Sequence, residues 1–553
     1  MTVPPDRLVD PGRQVGNGAL GRGAAIATAG TALSRFTGFL RLAAMAYVLG
    51  ISETRLADTY NLANVTPNIV YELVLGGVLS AVLLRVYVEV REREGQEEAW
   101  RFISRVTNLS TLILSGVALL GIAAAPLLLK AYTFYAPGAD RVGQEVLGTL
   151  LLRLFIPQLL FYGFSTISTA VLHAHRRFGV PMFAPVANNL VVTATFIAFG
   201  SLVPSWARSI DRVPFGGRLL LGLGTTAGVA VMGLVPWFFM RRVGWRRVRR
   251  AGFTDPAVRR LASLSAYTLG YALTNQLGLW VTLVLANRIQ GGVTAYQIAF
   301  VFFQLPHGLF AVSISASLSP SLAERAVAGD LGAFAGQLVR GLRATAFIIL
   351  PAVAGYLAVA PELVRFLLEH GIATGSSTEL ISAVLRAFAL GLVFFTSFHL
   401  ILRGFQALGD TRTPMLVNMG GLAVNLAVNL TLFLSLADPR LKVAGLALGH
   451  AASYAFVSVT AFLILRRRLG GVPVAPLRRT LARCGLAAAV TGGASWAIAR
   501  VAGRALDTDL LLAQGLQLAL AACGGGLVYL AAVKVLRVEE LAWIRNLLGR
   551  RAV

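Results

Sequence analysis

The chain has 553 residues, of which 56% are hydrophobic and 14% charged, and its mean hydropathy is +0.70. Soluble proteins carry about 25% charged residues, so this composition excludes an ordinary soluble enzyme. The net charge of +25 would suit a nucleic-acid partner, but the basic residues stand in short loops between apolar stretches. That distribution follows the positive-inside rule and favours contact with anionic membrane lipids, so we expect no nucleic-acid partner.

Long apolar stretches alternate with short polar loops along the whole chain. Crossing a hydrocarbon core of about 30 Å takes about 20 apolar residues in a helix, because lipid offers no partner to an unpaired backbone group. The pattern predicts an all-α polytopic membrane protein with about fourteen transmembrane helices. The predicted spans are residues 24–50, 57–88, 103–132, 146–174, 180–203, 217–240, 258–288, 293–322, 337–360, 378–402, 413–437, 441–465, 481–503 and 509–536.

Arginine is concentrated in every second loop. The set of loops that includes both chain ends holds roughly thirty Lys and Arg residues, against roughly ten in the other set. A bias of this size in short loops predicts that both termini are cytoplasmic.

The two halves of the chain are similar in sequence. Residues 67–80 resemble residues 306–319, and the turn 177–182 resembles 410–415. The offset of about 235 residues is six spans, an even number, so the two copies would have parallel topology. This predicts two parallel six-helix lobes followed by two additional helices. The predicted segments are a cytoplasmic tail 1–23, an N-lobe 24–240, a basic cytoplasmic linker 241–257, a C-lobe 258–465, a basic loop 466–480, an added helix pair 481–536 and a cytoplasmic tail 537–553.

Charged residues inside the spans are candidates for function, because charge in lipid is costly and usually faces a cavity and a partner. Arg35 and Arg41 stand in the middle of the first span, about 9 Å apart along the helix. Asp58 opens the second span and Glu72 lies within it. Two interpretations stay open: an Arg35–Glu72 or Arg41–Asp58 ion pair that joins two helices, or a binding site for an anionic ligand.

Asn425 and Asn429, four residues apart, place two amide groups on one face of the eleventh span. Their oxygens could coordinate a hard cation such as Na⁺, although hydrogen bonding between helices is the more common use. His307, His399 and His450 are scattered and show no ligand spacing. The sequence has no phosphate-binding loop, zinc spacing or nucleophile–base set, which predicts a transporter without a catalytic site or bound cofactor.

Residues 34–41 (SRFTGFLR), then Asp58, then Pro67 and Asn68, resemble the N-terminal signature of the MurJ/MviN family of the MATE-like exporter superfamily. Residues 409–414 (GDTRTP) resemble the segment before that family's eleventh span. The fourteen-span layout matches along essentially the whole chain. The chain is similar to a divergent member of this family.

The resemblance implies transport of lipid II, the polyprenyl-pyrophosphate-linked peptidoglycan precursor, across a bacterial plasma membrane during cell-wall synthesis. It implies that Arg35 and Arg41 hold the pyrophosphate, that Asp58 and Asn68 belong to the substrate site, and that residues 481–536 form a groove for the lipid tail. Cell-wall synthesis proteins would be partners, and Na⁺ or the membrane potential would drive transport. A bidentate guanidinium suits a diphosphate well.

This sequence departs from the family pattern at several positions. The apolar run 300–302 stands where many members carry an arginine in the eighth span, and Tyr71 replaces another. The seventh and eleventh spans offer amides such as Asn275 and Gln276 where some members bind a cation with acids. A different polyprenyl-linked glycan is therefore an alternative substrate. A drug or cation antiporter of the same superfamily is a further alternative, which predominantly basic embedded charge disfavours. A scaffold or a membrane glycosyltransferase is disfavoured because the loops are short.

Overall fold

The computed structural model describes residues 17–76, 81–245 and 266–542. Most of the N-terminal tail, most of the basic linker 241–257 and the end of the C-terminal tail, all predicted from the sequence, lie outside the described residues. Within the described residues the protein is all-α. Its helices are α1 (Asn17–Leu49), α2 (Leu56–Tyr71), α3 (Ala81–Glu94), α4 (Gln96–Thr133), α5 (Gly138–Phe155), α6 (Gln158–Ala174), α7 (Gly179–Leu202), α8 (Phe215–Met240), α9 (Ala266–Ala286), α10 (Gly292–Pro306), α11 (Val312–Val327), α12 (Leu331–Leu368), α13 (Gly375–Ala407), α14 (Arg412–Ser435), α15 (Pro439–Arg468), α16 (Val474–Ala505) and α17 (Leu511–Val535).

Thirteen helical segments of the described residues are long and apolar enough to cross a membrane. Two of them join consecutive helices: α5 with α6, and α10 with α11. The predicted second span, 57–88, corresponds to α2, a π-helical turn at Glu72–Gly76 and part of α3, on either side of the undescribed residues 77–80. The prediction of about fourteen transmembrane helices is therefore confirmed.

The second and eighth spans share an interruption of the α-helix. A π-helical turn at Glu72–Gly76 follows Pro67, and another at His307–Ala311 follows Pro306 directly. Proline removes a backbone donor and crowds the preceding turn, which favours a local change of helical pitch. These two turns fall in the segments whose sequences suggested an internal repeat, so the likeness of the two halves extends to an irregular feature of the backbone.

Helices α1 to α8 form the N-terminal half and α9 to α15 the C-terminal half. The largest buried apolar cluster draws on both, including Phe155 and Phe196 in the first half and Phe303 and Phe388 in the second. The added pair α16 and α17 packs against α12 through a separate cluster around Phe347, which contains Cys484, Ala487 and Tyr529. The pair is also held at its end by Arg343, which bonds Glu540 at 2.5 Å and Glu539 at 2.6 Å.

The loop before α14 holds the GDTRTP segment in a defined conformation. Asp410 accepts a hydrogen bond from the backbone N–H of Thr413 at 2.9 Å and pairs with Arg468 at the end of α15. Burial raises the pKa of the Asp410 carboxyl, but the hydrogen bonds from Thr413 and Arg468 outweigh burial and lower it below 3.8. Asp410 therefore links the start of α14 to the end of α15 within the C-terminal half.

Candidate functional site

The central feature of the candidate site is a pair of half-buried arginines on α1. Arg35 reaches the boundary between the halves: its Nη2 atom lies 3.1 Å from where a Cβ on Gly308 would stand. A side chain at position 308 would crowd the guanidinium, so glycine favours this close approach to the π-helical turn of the eighth span. Arg35 is thus brought beside the C-terminal half by the irregular backbone after Pro306.

Arg41 lies deeper in the N-terminal half. Its guanidinium lies near the phenols of Tyr60 on α2 and Tyr162 on α6. Tyr71 lines the same region, because its hydroxyl is 2.5 Å from that of Thr166 and its ring is 5.5 Å from that of Tyr162.

Neither arginine forms an ion pair with any residue that the structure describes. The predicted alternatives, an Arg35–Glu72 or an Arg41–Asp58 pair, are therefore wrong: Asp58 pairs instead with Arg55, one turn before it on the chain. An unpaired guanidinium within a membrane span is costly. The two arginines consequently offer positive charge and hydrogen-bond donors to an external anion.

Asp58 is completely buried at one end of the molecule, away from the arginines. Its carboxylate accepts hydrogen bonds from the backbone N–H of Gly291 at 2.7 Å, and from the N–H and hydroxyl of Thr294 at 2.9 and 2.7 Å. These donors form the N-terminus of α10, where a negative charge is favourable. A residue of the N-terminal half thus caps the first helix of the eighth span in the other half.

Gly291 makes this capping contact possible. Its φ of +78° is in the left-handed region, and a Cβ there would meet the Cα of Ser52 at 2.7 Å. Glycine is the one residue that adopts this backbone conformation without strain and allows such a close approach. The loop before α10 can therefore lie directly against the loop between α1 and α2.

Further hydrogen bonds join the halves at the same end. The Arg55 guanidinium donates to the carbonyl oxygen of Asn287 at 2.9 Å, the Asn61 amide donates to Thr294 at 3.0 Å, and the Gln144 amide donates to Asn287 at 3.1 Å. We call this set the interlobe seal. It comprises Ser52, Glu53, Arg55, Asp58, Asn61 and Gln144 of the N-terminal half with Asn287, Gly291, Thr294, Thr374 and Ser377 of the C-terminal half.

Glu53 is the seal's second acid and lies in the loop outside the spans. It accepts hydrogen bonds from the N–H and hydroxyl of Thr374 at 2.8 and 2.7 Å and from the hydroxyl of Ser377 at 2.8 Å. Burial raises the pKa of this carboxyl, but hydrogen bonds from the Ile51 backbone, Thr374 and Ser377 outweigh burial and lower the pKa below 4.5. The ionised form of Glu53 is therefore the one that holds the halves together.

The structure separates the four predicted substrate residues. Arg35 and Arg41 lie in the interior, and Asn68 is exposed on α2, one turn before the π-helical turn. Asp58 belongs to the seal. Sequence analysis missed the seal itself. The sequence signals for it are an acid within one span, Asp58, and a glycine–glycine pair, Gly291–Gly292, just before another span.

The two predicted cation residues lie side by side. The Asn429 amide donates to the Asn425 oxygen at 3.1 Å and to the Thr282 hydroxyl at 3.2 Å. The Asn429 oxygen is buried and has no partner among the described residues. The cation site stays a prediction; the observed contacts bond the two amides to each other across one helical turn.

A family model described as lipid II flippase MurJ matches residues 45–514. A probable lipid II flippase MurJ of Rhizobium meliloti (strain 1021) is 28% identical over 421 residues, covering 75% of this chain and 76% of the relative. A lipid II flippase MurJ of Burkholderia cenocepacia is 27% identical over 447 residues, covering 79% and 82%.

Among solved structures, a lipid II flippase MurJ in an inward closed conformation matches with a TM-score of 0.70 and 20% identity, over 95% of this chain and 100% of that one. An inward-facing multidrug resistance MATE family transporter of the MOP superfamily matches with a TM-score of 0.65 and 14% identity, over 78% and 94%. The two-lobed bundle thus has the same fold as these two proteins. Because the family model covers most of the sequence, the chain belongs to the lipid II flippase MurJ family.

Proposed function

We propose that this protein moves lipid II from the inner to the outer leaflet of the bacterial plasma membrane by alternating access. The observation that carries the proposal is a pair of interior arginines between two halves that are sealed together at one end. Neither arginine has an acidic partner among the described residues. Arg35 and Arg41 bind the diphosphate, because a planar guanidinium matches phosphate oxygens bidentately.

The positive-inside rule gives the direction of the cycle. The seal is built from loops of the arginine-poor set, so it lies on the outer face, and both chain ends are cytoplasmic. The described state then admits the head group from the cytoplasmic side. Breaking the seal and closing the opposite end turns the bound diphosphate towards the outer face.

The driving force in this proposal is the membrane potential acting on interior charge. Moving one elementary charge across the membrane is worth about 2.3 kcal/mol per 100 mV. With no carboxylate paired to Arg35 or Arg41 among the described residues, the net charge of the cavity changes when the anionic head group enters. Collapsing the potential while ion gradients are kept is expected to stop transport.

The test is lipid II exposure at the outer leaflet of cells whose own flippase is depleted. We expect the parent protein to restore exposure, and Arg35→Ala and Arg41→Ala each to lower it about tenfold or more, since a hydrogen bond to a charged group contributes about 1.5–3 kcal/mol. Arg500→Ala is the matched control, because Arg500 stacks over the Trp496 ring on the added helix pair, away from the cavity.

All variants are compared at equal membrane abundance. Restoration by the parent together with loss in both interior variants supports the proposal. A well-inserted parent that leaves lipid II inside, or interior variants that match Arg500→Ala, would contradict it.

A further inference from the structure

A second cavity lies inside the C-terminal half, and neither Arg35 nor Arg41 lines it. It is enclosed by α9, α10, α13, α14 and α15 and has a volume of about 340 Å³. Ligand pockets in proteins have volumes of about 300–1,000 Å³, so this space is large enough for a small polar group. We call it the C-lobe cavity.

The chemistry of the C-lobe cavity is polar but neutral. Most of its lining side chains carry an amide, a hydroxyl or an imidazole, and none of the described lining residues is Asp, Glu, Lys or Arg. Representative residues are Tyr271, Asn275, Gln276, Gln304, His450 and Tyr454. Such a lining fits an uncharged ligand rich in hydroxyl or amide groups better than an ion.

Two hydrogen-bonding atoms in this lining have no partner among the described residues. They are the Oε1 atom of Gln276 and the Nε2 atom of His450, both buried. Leaving such atoms unpaired costs about 1–3 kcal/mol each, whereas the Asn275 and Asn418 amides already bond each other at 3.1 Å. The unpaired atoms therefore offer an acceptor and a ring nitrogen to a ligand.

Aromatic rings form the remaining walls. Phe300 and Phe395 line the cavity, and their rings lie 5.5 and 6.2 Å from that of His450. Flat apolar faces beside hydrogen-bonding groups suit a pyranose, which has apolar C–H faces and polar edges.

The cavity adjoins the arginine that binds diphosphate. His399 lines the cavity, and the ring of His307 lies 4.8 Å from it, centroid to centroid. The next residue, Gly308, is the one that Arg35 touches. Gln304, another lining residue, precedes Gly308 by one turn. A ligand whose phosphate is held by Arg35 can therefore extend the far end of its head group into the cavity.

We propose that the C-lobe cavity binds the uncharged terminal sugar of the transported head group while Arg35 holds its diphosphate. This inference rests on the proposed function. A diphosphate-linked glycopeptide lipid offers an anionic diphosphate, an apolar tail, a charged peptide and neutral sugars. Of these parts, only the sugars match the neutral, hydrogen-bonding and aromatic lining of the cavity.

The test measures binding of three lipids to the purified full-length protein in nanodiscs. The lipids are undecaprenyl diphosphate without sugar, the one-sugar peptidoglycan lipid, and the two-sugar lipid II. We expect the parent to bind lipid II about tenfold more tightly than the one-sugar lipid. Gln304→Leu is expected to abolish this difference and to leave binding of the sugar-free lipid unchanged.

Gln276→Leu serves as a second cavity variant, because its side-chain oxygen has no described partner to lose. Gln297→Leu is the matched control. Like Gln304, Gln297 is a half-buried glutamine on α10, but it does not line the cavity. Its amide nitrogen has no partner among the described residues. We expect Gln297→Leu to retain the preference for lipid II.

Equal binding of the two-sugar and one-sugar lipids by the parent would overturn the inference. So would an equal loss for all three lipids in both cavity variants, or a thermal stabilisation by Na⁺ that the cavity variants remove without any effect on sugar preference. A parent that binds none of the three lipids would instead overturn the proposed function. The two failures are thus distinguishable.

Discussion

The two ends of the molecule join its halves in different ways. At the sealed end, residues 47–61 and 132–145 of the N-terminal half bond to residues 287–294 and 372–377 of the C-terminal half. At the opposite end, the described residues show hydrogen bonds within each half, such as Arg91 to the Ala174 carbonyl oxygen and Arg468 to Asp410, but none between halves. This asymmetry is what a one-sided access route requires.

The difference also shows how such a seal can be both strong and reversible. Several of its hydrogen bonds end on two carboxylates, Glu53 and Asp58, and its donors include backbone groups at a helix N-terminus. Bonds to a charged group contribute about 1.5–3 kcal/mol each, so a few of them hold the halves. Because they are polar, water can replace them when the halves separate.

The largest expected effect comes from Asp58→Ala. The substitution removes the acceptor of three interlobe hydrogen bonds and one of the two acidic partners of buried Arg55, which also pairs with Asp140 at 2.9 Å. Losing one partner of a buried charged contact costs about 3–5 kcal/mol. We expect the sealed state to become more than about 100-fold less populated, seen as longer distances between spin labels at Ala139→Cys and Glu379→Cys.

The label pair spans the sealed end, with one exposed position in each half, and Cys523→Ser removes the exposed native thiol. Asp509→Ala is the control, since Asp509 is an exposed acid whose carboxylate has one described contact, with Arg365 at 3.8 Å. An unchanged distance in Asp58→Ala would mean that this carboxylate does not hold the halves together.

A smaller effect is expected when low pH protonates the Glu53 carboxylate. Its pKa is below 4.5 in the sealed state, because hydrogen bonds outweigh the effect of burial. Ionised Glu53 therefore stabilises the seal above pH 4.5, and this stabilisation is lost as the pH falls through its lowered pKa. We expect the label distances in the parent to lengthen as the pH falls from 7 to well below 4.5.

Glu53→Gln isolates this contribution. The variant should show a weaker seal at pH 7 and a smaller change on acidification, since it has no charge to lose. An identical pH response in parent and variant would assign the acid effect to other groups.

The smallest effect is expected at the opposite end. Asp410→Asn weakens the pair with Arg468, which is 46% exposed, and exposed pairs contribute about 0–1 kcal/mol. Both residues belong to the C-terminal half. We expect label distances at the sealed end to stay as in the parent; a lengthening as large as that of Asp58→Ala would erase the contrast between the ends.

The sequence predicted the fold well because its signals are local. The length of each apolar stretch locates a span, and the likeness of residues 67–80 and 306–319 indicates the repeat. The π-helical turns after Pro67 and Pro306 fall in these two segments. The sequence did not show how many helices make up one span. The predicted span 146–174 consists of parts of two helices, α5 and α6, and the chain turns between them near Pro157.

The candidate site was predicted less completely because its contacts are distant along the chain. Arg35 and Arg41 stand out as charges in one span, but Asp58 meets Thr294 across 236 residues. Likewise His307, His399 and His450 show no spacing in sequence, yet helix packing brings their rings to one cluster with Phe395. No sequence pattern within one helix could have predicted these contacts between helices.

The most direct test of alternating access is a reversible covalent lock on the seal. The Ser52 and Ser377 hydroxyl oxygens are 2.9 Å apart and belong to opposite halves, so Ser52→Cys with Ser377→Cys, in the Cys523→Ser background, should form a disulfide. Flipping of lipid II is then measured in proteoliposomes. The account predicts no flipping when the pair is oxidised and recovery on reduction. Equal flipping in the oxidised and reduced protein would contradict it.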